Sequence, residues 1–250
     1  MAKQPLAKRP VAKRLLHRQA RLLEYLTSGD AIFGDGRDVH FDAALQGIDR
    51  ALLHIEARFS HEKRMEKIAA VFPKTFALLG ADRDAIMREF VEACPPVDIS
   101  RIESALQFRD FLTARWQRQP PAARYLPDVT ACELALAQVR IDGDGELTVN
   151  AVRTQAGLPG IRRKPGVVLL SARFDIRPIF EGGSEGANLI ERKVPLAIAH
   201  HAGEPRIFEL APEVFDLLAA LDRWVAVDEF PDSDGLIADL TEAGLLEVRR

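Results

Sequence analysis

The sequence predicts an α+β protein, with an all-helical N-terminal domain followed by a smaller mixed domain. Three observations carry this. Apolar residues recur at helical spacing from Leu15 to Val139. The period changes at Asp142-Gly143-Asp144-Gly145, after which β-branched and alternating stretches dominate. The last part of the chain then runs strand, strand, helix, helix, short strand, the order of a winged-helix module. The boundaries that follow are a disordered lead-in over 1–10, a helical domain over 11–140 and a winged-helix-like domain over 141–250.

The first helix carries Leu15, Leu16, Leu22, Leu23 and Leu26, and Gly29-Asp30 and Gly34-Asp35-Gly36 break it. A second has Leu45, Ile48, Leu52, Leu53 and Ile55 on its apolar side. His61 to Leu79 continues the pattern, with a restart at Pro73 and a stop at Gly80. Asp82 is positioned to cap the segment bearing Ile86, Phe90 and Val91, which Cys94-Pro95-Pro96 ends. Ser100 precedes an amphipathic run from Ile102 to Trp116, and Pro120-Pro121 stops it. Tyr125 to Val139 forms the last helix of this domain, with Pro127 in its first turn.

Asp142 to Gly145 reads as a tight polar turn between domains. Val167 to Ile179 contains a strand, Gly182-Gly183-Ser184 a loop, and Val194 to His201 and Arg206 to Leu210 two strands joined at Gly203-Glu204. Pro212 opens a helix with Val214, Leu217, Leu218 and Leu221. A second spans Leu236 to Ala243, Gly244 caps it, and Leu245 to Val248 forms a final short strand.

With 250 residues, 47% of them hydrophobic, the chain is able to bury a large core, and a net charge of -3 gives no global field toward nucleic acid or membrane. Cys94 and Cys132 form neither a disulfide framework nor a CxxC pair, which fits a reducing compartment. No apolar run is long enough to span a bilayer, and no apolar h-region follows the basic start. The expected location is the cytoplasm, with no membrane partner.

No catalytic residue, cofactor site or metal site is expected. His61-Glu62-Lys63-Arg64-Met65 has methionine where an HExxH site needs its second histidine. Asp142 to Glu146 resembles a calcium loop but lacks the glycine at its sixth position and places Arg153 at its twelfth. His200 and His201 are adjacent on a strand, so their side chains point to opposite faces. Gly182 to Gly186 lacks the Lys-Ser/Thr ending of a phosphate loop.

Charge decides how the C-terminal module is used. From Ala211 to Val248 there are ten acidic residues and one basic residue, Arg223. A helix entering a DNA groove must neutralise phosphates, and the one near Asp234 to Ala243 has no Lys or Arg. Nucleic acid is therefore disfavoured. Peptide capture is the better use, because an exposed sheet edge pairs with an extended strand. The expected peptide-binding positions are Arg206, Ile207, Phe208 and Leu210 on an edge strand, with Leu236 and Leu240 on the neighbouring helix. Equally, Phe208 and Leu210 fit the inward face of the domain core. The basic run Lys3, Lys8, Arg9, Lys13, Arg14, Arg18 and Arg21 fits a solvated helix face, or a surface that meets an anionic enzyme or peptide, with a nucleic-acid contact as the third choice because no aromatic residue interleaves it before Tyr25.

A succession of short motifs, Phe72-Pro73, Leu79-Gly80, Pro95-Pro96, Phe111-Leu112 and Tyr125-Leu126-Pro127-Asp128-Val129 followed by Glu133, resembles the helical domain of a family of partner proteins. These accompany multinuclear non-haem iron enzymes that modify cysteines in ribosomally made peptides (RiPPs), in pathways of the methanobactin, 3-thiaglutamate and bufferin type. The stretch from Arg206 to Leu218 resembles their second domain, a RiPP recognition element. The resemblance implies a non-catalytic subunit with no cofactor of its own. Its partners would be the leader of a precursor peptide and, as a heterodimer, the iron enzyme that holds the metal. Expected partner-docking positions are Phe72, Pro73, Tyr125, Leu126 and Asp128, although core packing accounts for the same residues. The alternative from another class is a winged-helix transcription regulator with a helical sensor domain.

Overall fold

The computed structural model describes residues 9–34, 42–96, 100–149, 159–182, 189–226 and 234–249, and among them are ten α-helices, two short 3-10 helices and five strands. It is a mixed protein of helices and small antiparallel sheets, as an α+β fold requires. The helices are α1 (Arg9–Leu26), α2 (Gly29–Phe33), α3 (Arg50–Ala69), α4 (Pro73–Leu79), α5 (Arg83–Ala93), α6 (Arg101–Arg118), α7 (Leu126–Val149), α8 (Arg177–Phe180), α9 (Pro212–Ala220) and α10 (Asp234–Glu242). The strands are β1 (Gly160–Arg163), β2 (Val168–Phe174), β3 (Glu191–His201), β4 (Glu204–Glu209) and β5 (Leu246–Arg249). Among the described residues no helix is long and apolar enough to cross a membrane.

Two compact units share the chain. One combines the chain up to Ala70 with Leu79–Leu112; the other combines Val71–Leu78 with everything from Thr113. The first is helical. Its α1 ends before Ser28, whose hydroxyl accepts the Ala31 N–H and starts α2. The first helix does end here, before Gly29, and Gly29-Asp30 itself forms the first turn of a separate short helix. Asp49 caps α3 by accepting the N–H groups of Ala51 and Leu52. This helix runs on through His61, merging two segments that the sequence separates, while Leu45 sits in a 3-10 turn ahead of it. Gly80 closes α4 at a positive φ of 54°, where glycine is favoured. Asp82 makes no capping hydrogen bond, because a 3-10 turn leads straight into α5. Ser100 does cap α6, accepting the Glu103 N–H. Phe90 anchors this unit's core, edge-on to Phe108 at 5.1 Å and tilted against Phe111 at 5.4 Å.

In the second unit β2, β3 and β4 form an antiparallel sheet in that order, and β1 pairs with β5 in a separate ribbon. One face of the sheet, with Ala172, Val194, Leu196 and Ile198, packs on Val129, Cys132, Ala135 and Val139 of α7. The other, with Ala197 and Ala199, packs on Leu218 and Leu221 around α9, Leu240 of α10 and Leu246 of β5. Covered on both faces, β3 carries the nearly continuous apolar run from Val194 to Ala199.

The boundary near residue 140 separates α7 from the sheet it covers, and the structure divides the chain elsewhere. Helix α7 passes without interruption through Asp142 to Gly145, so the expected polar turn is helix. The order of elements from β3 onward matches the sequence expectation, whereas β1 and α8 are additional to it. Of the Gly182-Gly183-Ser184 loop, only Gly182 is among the described residues, as are only Arg9 and Pro10 of the lead-in, both helical.

Two carboxylates on α7 fix its neighbours. Asp128 Oδ2 alone accepts both the Arg173 and Phe174 N–H groups of β2, at 2.8 and 2.9 Å. Glu133 uses both oxygens, one for the Lys74 N–H at 2.6 Å and one for the Thr75 N–H at 2.9 Å, at the start of α4. Burial pushes both carboxyls above the usual range despite these bonds. The difference in oxygen use makes the two sites respond differently to amides. Asp128→Asn keeps one oxygen for both donors and loses a buried charge, so it should cost well under 1 kcal/mol. Glu133→Gln turns an NH2 toward a backbone N–H and should cost about 2 kcal/mol. Urea unfolding of both variants checks the order; an equal loss in the two would contradict it.

Candidate functional site

Strand β4 pairs with β3, and among the described residues no strand pairs with its other side. Two features fix which backbone groups face outward. The β3–β4 hairpin closes through a two-residue turn, Ala202 and Gly203, both at positive φ (51° and 90°), between the partners His201 and Glu204. At the other end, the Leu210 N–H donates to Pro195 O at 2.9 Å. Alternation along the ladder then turns Glu204, Arg206 and Phe208 toward β3, and Ile207 and Glu209 away from it. The open side thus presents the N–H groups of Ile207 and Glu209 and the carbonyls of Pro205, Ile207 and Glu209.

The side chains divide between two faces. Phe208 and Leu210 join Leu240 in the core between the sheet and the α9/α10 layer, with Leu210 buried. Ile207 packs, half-buried, in the α7 layer. Arg206 is exposed, and Leu236 is partly exposed on α10. The strand is therefore an edge, but Leu240 is committed to the core and does not line a groove. Phe208 and Leu210 take the inward role that the sequence left open.

An ion network ties down the C-terminal end of β4. Glu209 pairs with Arg192 of β3 at 2.9 Å and Arg177 of α8 at 2.6 Å, and both arginines reach Asp175 at 2.7 Å. The hydrogen bond from Arg177, reinforced by Arg192, holds the Asp175 carboxyl at about 2. The expected docking positions lie inside the second unit. Phe72 and Leu126 are buried, Asp128 is bonded to β2, and Tyr125 packs edge-on to Phe174 at 6.3 Å. Only Pro73, at the first position of α4, is exposed. A partner has no access to Phe72 or Leu126, and core packing accounts for the motif.

His61 lies within α3, edge-on to Phe33 at 5.3 Å. Among the described residues no three His, Cys, Asp or Glu side chains are grouped to hold a metal ion. Burial pushes the Cys132 thiol up to about 12, so it stays protonated at neutral pH. No protein-family model matches the chain, and no curated protein does.

The Asp175 network sets a pH dependence. A carboxyl held below its ordinary 3.8 stabilises the fold above that pH, and the contribution is lost as pH falls through the folded value of about 2. Asp175→Asn should cost about 1 kcal/mol at pH 7, discounted for the partly exposed arginines. The gap from wild type should narrow from about pH 4 toward pH 2. Denaturant titrations across that range test it; a gap independent of pH would exclude the network as its source.

Proposed function

We propose that this chain is a non-catalytic partner subunit that holds the leader of a ribosomally made precursor peptide and presents its cysteine to a multinuclear iron enzyme. The observation that carries this reading is the open side of β4. An extended leader adds there as a further antiparallel or parallel strand, accepting from the Ile207 and Glu209 N–H groups and donating to the intervening carbonyls. Exposed Arg206 supplies a cation for a leader carboxylate, which sets register more than affinity. The motif resemblance supplies the class of peptide and enzyme. The surface of α10, with Asp239 and Glu242 and no Lys or Arg, favours this role over that of a DNA-reading helix.

Main-chain recognition predicts a particular mutational pattern. Ile207→Ala should weaken leader binding by about 1 kcal/mol. Ile207→Pro removes an outward N–H without touching the β3 ladder and should abolish binding in a chain that circular dichroism shows to be folded. Phe208 is the wrong position for this experiment, since its N–H belongs to the β3–β4 ladder. Fluorescence anisotropy with a labelled cysteine-containing precursor peptide that binds the wild-type chain reads the effect; wild-type affinity in folded Ile207→Pro would remove the peptide from β4.

The enzyme partnership has its own test. Co-expression with a neighbouring metalloenzyme should yield a heterodimer that stays together in size-exclusion chromatography. Separate elution at micromolar concentration would overturn the proposed assembly.

A further inference from the structure

Among the described residues of the first unit, α1, α2, α3 and α5 surround a cavity of about 330 Å³. Its wall is apolar, formed by Leu23, Leu26, Ile32, Phe59 and Val91. Leu23 and Phe59 lie at its mouth, 59% and 53% exposed. Basic side chains also line it: His61, Lys63, Arg64 and Lys67, against the single carboxylate of Glu56. An apolar enclosure of this size with a few polar groups converging on it is the usual form of a small-molecule site.

Arg64 decides the sign of the ligand. Its guanidinium lies over the Phe90 ring at 4.5 Å and donates to Cys94 O at 2.9 Å and to Gln107 Oε1. Both acceptors are neutral, and its buried Nε has no hydrogen-bond partner among the described residues. Lys63, by contrast, is held by Glu66 at 2.9 Å. Among the described residues, Arg64 is thus a half-buried cation with no carboxylate beside it, an arrangement that costs free energy until an anion arrives. Burial and then the Arg64 charge hold the neighbouring His61 below its ordinary range, so both groups would gain from the same anion.

We propose that this cavity binds a small amphipathic carboxylate, its apolar body against Leu26, Ile32 and Val91 and its carboxylate at Arg64. At roughly 30 Å³ per heavy atom the volume takes about ten non-hydrogen atoms, the size of an eight-carbon fatty acid. This site is independent of the peptide role of β4.

Isothermal titration of the full chain with octanoate, octanol and octylammonium tests it. Octanoate should bind once per chain, at least about tenfold tighter than octanol, and octylammonium more weakly still. Arg64→Gln should erase the preference for octanoate over octanol. Leu23→Glu, at an exposed position that leaves the fold intact, should place a like charge at the mouth and weaken octanoate about tenfold with an unchanged unfolding midpoint. It carries the test alone should the Arg64 variant not fold. Octanol binding as tightly as octanoate, unaltered octanoate binding in Leu23→Glu, or no saturable binding up to millimolar octanoate would each overturn the assignment.

Discussion

The second unit depends on bringing a long helix, α7, against a sheet without stranding polar backbone at the junction. Apolar contact between Val129, Cys132, Ala135 and Val139 and the sheet supplies the driving force. The backbone N–H groups at the bulge in β2 and at the start of α4 still need acceptors once water leaves. Asp128 provides them to β2 and Glu133 to α4, and the Thr75–Thr130 hydroxyl pair at 2.9 Å lies at the α4 junction beside Glu133. With α7 placed, one face of the sheet is covered, and in the order β2-β3-β4 strand β4 lies outermost.

Much of this fold is legible in the sequence where local chemistry decides it. Pro73 restarts a helix, Gly80 ends one, and Cys94-Pro95-Pro96 stops another, because each rests on a backbone restriction of the residue itself. Misreadings occur where distant contacts override local preference. The glycines at 143 and 145 signal a turn, yet the helix that packs on the sheet continues through them. Strand β1 is four residues with two arginines, and its partner β5 lies 85 residues away at the Arg162–Glu247 pair, so nothing local announces it. The candidate site shows the same limit. Alternation at Arg206, Phe208 and Leu210 marks a strand, but whether that strand is an edge depends on sheet order. Asp128 and Glu133 read as motif residues, and only the placement of β2 and α4 reveals their work as acceptors.

An open edge is a hazard as well as a recognition surface, since it accepts any extended chain. Strand β4 limits this through its own composition. Pro205 withholds a donor, and the exposed side chains of Glu204, Arg206 and Glu209 are charged. Two outward N–H groups beside a proline offer a short template, which favours a partner that also complements Glu204 and Arg206 over another copy of an apolar strand.

The division of the chain between its units has a consequence for synthesis. The chain passes from one unit to the other after Ala70, after Leu78 and after Leu112, and α6 serves both. No single cut yields either unit intact, so the two resist dissection into expressible fragments. On the ribosome, the segment containing α4 emerges well before α7, which supplies the carboxylate its first turn requires. The nascent protein must therefore hold an uncapped helix start until the acceptor is translated.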